Sequence, residues 1–503
     1  MLIGLLLLTA NIEVGPTRTL TLPSQAAAMA NDGDTILIDA GLYPGDAAIW
    51  RANNLTIRGV GGRAHLRADG AAAQGKAIWV ITGQNTTVES IEFSGATVPD
   101  MNGAGIRQEG PNLIVRDCYF HDNEDGILTG ENLNSDILVE SSIFDHNGAG
   151  DGFSHNMYIG HVRSFTLRGS YTHDARVGHL IKSRANLSII EGNRITEEAG
   201  ADASMEAEFP NGGTVIVVGN FIVQGPNSQN SGIISFGSEG STNPNEGLFV
   251  AYNTVVNSLG RGTIVNNRGT APAVVVDNIF YGGGTVLGGP GTPASNLVSA
   301  TPGFVDVANL DVHLLASSAA IGAAVDPGMG GGRSLIPTIE YVHPARSTPR
   351  GSGLDQGCFE HTTVPGDAGV SPDAGFPPPS DAGVPPADAG SPANDAAPLP
   401  DAMSAVDAGQ PAADAGEPAP DAGADAGPPA PDADLSPDSG TPLADSGLVP
   451  AMDGAVRADS GQSSTTGRAT GGCGCETSEP IQGLLAAALL GLSWLFSPGR
   501  RRP

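Results

Sequence analysis

One short pattern recurs along the first three hundred residues, and it constrains the fold more than any other feature. VESIEFSGA begins at Val88, VRDCYFHDN at Val115, VESSIFDHN at Val139 and LRGSYTHDA at Leu167. IEGNRITEE follows from Ile190, VVGNFIVQG from Val217, VAYNTVVNS from Val250 and VVDNIFYGG from Val275. The steps are 27, 24, 28, 23, 27, 33 and 25 residues, and Leu55-Thr56-Ile57-Arg58 reads as an earlier member. Each unit holds short alternating strands broken by Gly, Asn and Asp, with no helical periodicity. A unit of this size cannot bury a core of its own, so neighbours must stack. A leucine-rich repeat has a similar period, but its Leu spacing is missing and Val, Ile and Phe dominate. The expected class is therefore all-β, a parallel solenoid. Asn193, Asn220, Asn253 and Asn278 share the fourth position of their units. Rungs about 4.8 Å apart would stack them into a ladder of bonded amides.

The solenoid must be covered at its ends. Residues 24–30, SQAAAMA, read as a short capping helix with Ser24 as N-cap. NDGD then turns into the strand Thr35-Ile36-Leu37-Ile38 and runs on to Gly41-Leu42-Tyr43. This opening resembles that of pectin-lyase-like proteins, which implies a right-handed parallel β-helix over residues 23–362. Residues 294–360 lose the period and are expected to close the other end.

The rest of the 503-residue chain is of another kind. Residues 363–466 hold 16 Asp, one Glu (Glu417) and one Arg (Arg457) among Ala, Gly, Pro and Ser, a net charge of −16. So little apolar surface cannot offset the entropy of ordering, so 363–470 is expected to be a disordered, self-repelling linker. The first 362 residues are also acidic, within a total of −30. Nucleic acid, which needs a basic footprint, is excluded as a partner. Cys118 and Cys358 read as buried thiols rather than part of a disulfide scaffold.

Both termini point to export. MLIGLLLLTA has the apolar core of a signal peptide but lacks a basic start and a small-x-small cleavage site, so 1–22 is taken as a signal peptide or lead-in. At the other end GGCGCETSEP is followed by the 16-residue apolar run 481–496 and by Arg500, Arg501 and Arg502. That order, over 471–503, resembles the MYXO-CTERM sorting signal of myxobacteria. The resemblance implies processing or anchoring at Cys473 or Cys475, and a protein held to the envelope membrane at the outer surface or released from it. Sixteen apolar residues are short for a spanning helix, which needs about 20.

A second strand lies within each rung, and alternation assigns its faces. Met157, Ile159, Ile181, Met205, Ala207 and Phe209 are placed inside. Asn156, Tyr158, Lys182, Arg184, Glu206 and Glu208 are placed outside. Tyr158 to Lys182 and Lys182 to Glu206 are both 24 residues, one rung, and His155 and His179 flank the same strip at the same spacing. The chain has only two lysines, Lys76 and Lys182, against 22 arginines. Arg keeps its proton, whereas a Lys can be tuned to lose it, so a Lys here suggests that an amine is needed. The alternative is an ordinary cross-strand ion pair with Glu206 or Glu208. His121, His146 and His173 sit beside Asp122, Asp145 and Asp174 and read as hydrogen-bonded turns rather than metal ligands. Asp151 is placed within reach of the strip, and PNGG at 210–213 as the turn after the Glu strand.

KSRANLSIIEGN, residues 182–193, resembles the Lys-Ser…Asn…Gly-Asn rung of alginate lyase and chondroitinase B-like β-helix lyases. In that family the Lys takes the proton α to a uronate carboxylate and an Arg one rung later assists the leaving group. The resemblance makes Lys182 the base. The Arg has no counterpart on the next rung, which offers Glu206 and Glu208, and leaves Arg184 as its substitute. An acidic chain acting on an anionic polymer also calls for a bridging ion such as calcium. Two other readings stay open. Glu206 and Glu208, about 6.6 Å apart along one strand, could serve a hydrolase near the short end of the inverting separation. Asn156 and Tyr158 could serve a non-catalytic, carbohydrate-binding adhesin.

Overall fold

The computed structural model describes residues 9–361, and these form a parallel β-helix. The linker 363–470, the sorting segment with Cys473 and Cys475, and the first eight residues lie outside the described residues.

The repeat phase seen in the sequence is the inward column of the first sheet. Val88, Val115, Val139, Leu167, Ile190, Val217, Val250 and Val275 pair in sequence, each with the next, in parallel register. The same column continues back through Ile57 and Ile36 to Ile12. All but Ile12, at 9% exposure, are essentially shut off from solvent. A strand at Asn11–Val14 thus pairs within the region expected to be lead-in, and the solenoid begins ahead of residue 23. The first and second sheets are joined through the long strands Thr35–Pro44 and Thr56–Arg67, and the third sheet has ten strands, from Ala48–Trp50 to Thr285–Gly288.

Parallel stacking brings like side chains together. Phe93, Phe120 and Phe144 stack with centroids 5.0 and 4.8 Å apart, almost coplanar at 11° and 4°. The buried Asn ladder forms as expected. Asn193, Asn220, Asn253 and Asn278 each donate an Nδ2 hydrogen to the next Oδ1 at 2.9–3.0 Å, and Asn296 extends the run. Charges cannot stack like with like, so they alternate. Arg58, Glu89, Arg116, Glu140, Arg168 and Glu191 occupy successive rungs of one outer column, with ion pairs of 2.9–3.8 Å.

Two expectations about the ends are corrected. The helix spans Pro23–Met29 with Leu22 at the N-cap, not Ser24. Pro23 fixes the first turn, and the Gln25 side chain accepts from the Thr21 and Leu22 amides. The region after residue 294 does more than close an end: it folds back along the flank of the solenoid. Thr338 bonds Glu191, Tyr341 and His343 meet Tyr171, and Arg346 reaches Asp117. The reason is apolar side chains on the outside of the second sheet. Ile143, Tyr171, Phe221, Val223, Val256 and Ile279 need covering, and Phe304, Val312, Leu314, Tyr341 and Phe359 supply it. Cys118 and Cys358 are free and buried, as expected.

The ladder makes a stability prediction. Asn253→Ala removes an acceptor used by both the amide and side chain of Asn220, inside the core. It is expected to cost about 3 kcal/mol, because buried partners are left unsatisfied. Asn112→Ala, in the exposed ladder Asn112–Asn85–Asn54, is expected to cost about 1 kcal/mol or less. Denaturant midpoints of the two variants check the ranking.

Candidate functional site

The third sheet presents the predicted strip. Leu128, Tyr158, Lys182, Glu208 and Ser235 follow one another in register on its outer face. The partner of Lys182 is thus Glu208, not Glu206 as equal spacing implied. The loop between Thr196 and Met205 adds two residues to that rung. An even slip keeps the face but changes the neighbour.

The charged groups of this strip form one network. Lys182 Nζ lies 3.6 Å from Glu208 Oε2, and His179 Nε2 lies 3.2 Å from the same oxygen. Ser238 donates its hydroxyl to Glu208 Oε1 at 2.8 Å. Burial works against the Glu208 charge, but His179, Ser238 and Lys182 outweigh it and hold the carboxyl at about 2. The Arg184 Nε–H donates to the Tyr158 hydroxyl at 2.9 Å. Its two terminal nitrogens grip Glu239 at 2.6 and 2.9 Å, and one also reaches Asn211 Oδ1 at 2.6 Å. The Glu239 contact foremost raises the Arg184 pKa. Lys182 Nζ and Arg184 Cζ both lie 5.7 Å from the Tyr158 ring centroid. Tyr158, Lys182, Arg184 and Glu208 are therefore brought together.

Three predicted residues are not where alternation put them. Asn156 is fully buried; its Oδ1 accepts from Asn147 and its Nδ2 donates to Thr172 and His173. It ends a second Asn ladder that runs from Asn123 through Asn147. Glu206 falls in register beside Leu180 and Ile233, both core residues, and its carboxyl faces that of Glu197. The rung turns a corner here, so positions that alternate outward on a flat strand point inward. Met205, placed inside, is half exposed beside His179 for the same reason. His155 is also buried, at 1% exposure; burial first, then His179, Lys182 and Arg184, keep it well below the usual His range. Its Nδ1 accepts the His179 amide at 2.9 Å, so it supports His179 from beneath the strip.

Beside the strip runs a groove of about 530 Å³, lined by Arg107, Leu128, Tyr158, Arg184 and the carboxylates of Asp100, Asp125, Glu131 and Asp151. Tyr158 and Arg184 belong both to this lining and to the network, and the loop beyond brings Ser238 to Glu208 and Glu239 to Arg184. Asp151 lies in the groove as expected, and PNGG is the turn that carries Asn211 to Arg184. Asp125 is buried and pushed well above the usual carboxylate range, and it already accepts the His155 amide. Among the described residues, the sets that bring three ligand atoms within 4.8 Å of one another lie elsewhere.

Sequence reasoning missed Glu239, Ser238, Asn211 and Arg107. Asn211 had a signal in its turn motif. Glu239 had none, since it stands 55 residues from Arg184 and belongs to a loop outside the repeat.

The fold and this strip define a right-handed parallel β-helix protein with a charged lateral groove. The family described as a right handed beta helix region matches residues 41–159. No curated protein matches the sequence. Among solved structures the chain is similar to pectate lyase Pel9A, with 14% identity over 70% of this chain and 97% of that one and a TM-score of 0.49. It is also similar to an alginate lyase from Paenibacillus sp. str. FPU-7, with 14% identity, 57% and 99% coverage and a TM-score of 0.38. The PL6 family alginate lyase AlyGC gives 16% identity, 58% and 40% coverage and a TM-score of 0.36. At these identities the likeness is one of fold.

The Glu197–Glu206 pair sets a pH dependence. Burial raises both, and Glu197 raises Glu206 further, whereas the contact with Glu206 lowers Glu197, which still reaches about 7 from 4.5. The folded protein then holds protons that the unfolded chain releases, so stability falls as pH rises from about 4.5 to about 7. Glu208 acts oppositely: its contribution is present above 4.5 and is lost as pH falls toward about 2. Glu197→Gln is expected to flatten the decline on the neutral side and leave the acid limb unchanged, as read from melting temperature against pH.

Proposed function

We propose that this β-helix acts on an acidic, uronate-containing polysaccharide as a lyase, with Lys182 as the base. The observation that carries the reading is the Arg184 fork. It holds a carboxylate with two terminal nitrogens, beside the Lys182 amine and the Tyr158 hydroxyl, in the wall of an open groove. Such a fork matches carboxylate geometry, and a uronate could take the place of Glu239, whose side chain is 48% exposed. With the sugar carboxylate on Arg184, its neighbouring C–H would face Lys182. The unprotonated form of the amine takes that proton, the bond to the leaving oxygen breaks, and a carbon–carbon double bond forms in the ring. Tyr158, which accepts from Arg184, keeps its own hydroxyl hydrogen free to serve the leaving oxygen. Glu208, His179 and Ser238 fix Lys182 in place. The hydrolase alternative loses its carboxylate pair, because Glu206 faces Glu197 in the interior.

The test is cleavage of a panel of uronate and neutral polysaccharides, with and without calcium, following unsaturated ends by absorbance and reducing ends in parallel. Lys182→Ala is expected to lose about three orders of magnitude in unsaturated product, the scale of a missing general base. Reducing ends without unsaturation would make the protein a hydrolase. Binding without cleavage would leave the adhesin reading. Glu239→Ala frees the fork and is expected to tighten binding of uronate oligomers about tenfold, roughly the worth of one competing charged contact. Calorimetric titration of oligouronate into parent and variant checks this.

A further inference from the structure

The outer face of the second sheet carries a cluster that the groove chemistry does not use. His65 lies on the strand Thr56–Arg67, Glu92 on Ile91–Ser94 and His121 at the end of Tyr119–His121, three successive rungs. His65 Nδ1 and His121 Nε2 each lie 3.2 Å from the same oxygen, Glu92 Oε1. All three ligand atoms fall within 4.8 Å of one another. Two imidazole nitrogens facing one carboxylate oxygen each need a proton, or a shared metal ion, between themselves and that oxygen.

Three observations favour a metal. A tetrahedral zinc ion with bonds of about 2.0 Å has ligand–ligand edges of about 3.3 Å, so the two 3.2 Å edges need almost no adjustment. The far nitrogen of each ring is anchored: His65 Nε2 contacts Ser94 Oγ at 2.7 Å, and His121 Nδ1 contacts Asp122 Oδ2 at 2.9 Å. Metal-binding imidazoles are normally held in this way. Tyr119 stacks on the His121 ring at 4.4 Å and fixes its plane. The side chains are 24%, 13% and 19% exposed, shielded but reachable. The segment that covers the outside of the later rungs packs from Ile143 onward.

We propose that His65, Glu92 and His121 form a binding site for a divalent transition-metal ion of the zinc class, with three protein ligands and an open fourth position. Two imidazoles and a carboxylate suit such an ion better than the hard cations calcium and magnesium. A bound ion would cross-link three rungs near the uncovered end of the second sheet.

The test uses the full chain with Cys473→Ser and Cys475→Ser, which removes the thiols that would compete for zinc. After chelation, zinc is titrated calorimetrically and the melting temperature followed. One ion is expected to bind per chain, and a hundredfold excess over Kd to raise the melting temperature by roughly 5 °C. Cobalt(II) is expected to give the visible spectrum of a tetrahedral site. Glu92→Gln and His121→Ala, with unchanged circular dichroism, are expected to abolish the melting shift and that spectrum. Ser94→Ala keeps every ligand and is expected to weaken binding about tenfold, so it remains readable if an alanine at 121 disturbs folding. No zinc binding by the parent, or equal binding by parent and variants, would overturn the proposal.

Discussion

The fixed spacing between rungs governs this molecule. Every residue lies about 4.8 Å from its counterpart one turn away, so each column is a line of near contacts. Apolar columns tolerate this freely, which is why Ile12 to Val275 can run through the whole solenoid. Amides profit from it, since each Asn can both donate and accept along the axis. Aromatic rings stack face to face. Charges must alternate in sign or leave the column, and the run from Arg58 to Glu191 alternates without interruption.

The exceptions to that rule are informative. Glu197 and Glu206 bring two carboxyls together in the interior, where burial raises both and Glu197 raises Glu206 further. His65, Glu92 and His121 bring two neutral-capable bases onto one carboxylate oxygen. Lys182 on Glu208, by contrast, obeys the rule. The pair by itself therefore says as much about sheet stability as about chemistry. What the column does not require is the company it keeps: a Tyr hydroxyl on Arg184, and a carboxylate reaching Arg184 from a loop outside the repeat.

The sequence made the fold legible because its inward column is regular. Val, Leu and Ile recur at steps close to one turn, and the register follows them residue for residue. The Asn ladder was legible for the same reason. The site was legible in part. Tyr158 and Lys182 lie on strands and Arg184 just past the end of one, where alternation assigns faces correctly. Asn156 and Glu206 lie where the rung bends, and there alternation fails. His65 escaped notice because its strand, Thr56–Arg67, runs through two sheets without the turn that marks the later units. The flanking cover could not be read at all, since nothing periodic links residues 304–359 to Tyr171 or Phe221.

The cover and the groove also explain each other's position. A solenoid has three outer faces, and each must be polar, covered or used. The first carries the alternating charge column as far as Glu191, and Ala324 and Leu335 cover its apolar rungs beyond. The second is apolar from Ile143 onward, and the chain after residue 294 lies over it. Had that segment crossed the third sheet instead, it would have closed the groove at Tyr158 and Arg184. The apolar residues that hold it, Tyr171, Phe221 and Ile279, face away from the third sheet. The placement of these few side chains is thus what leaves Lys182 and its neighbours within reach of a long substrate.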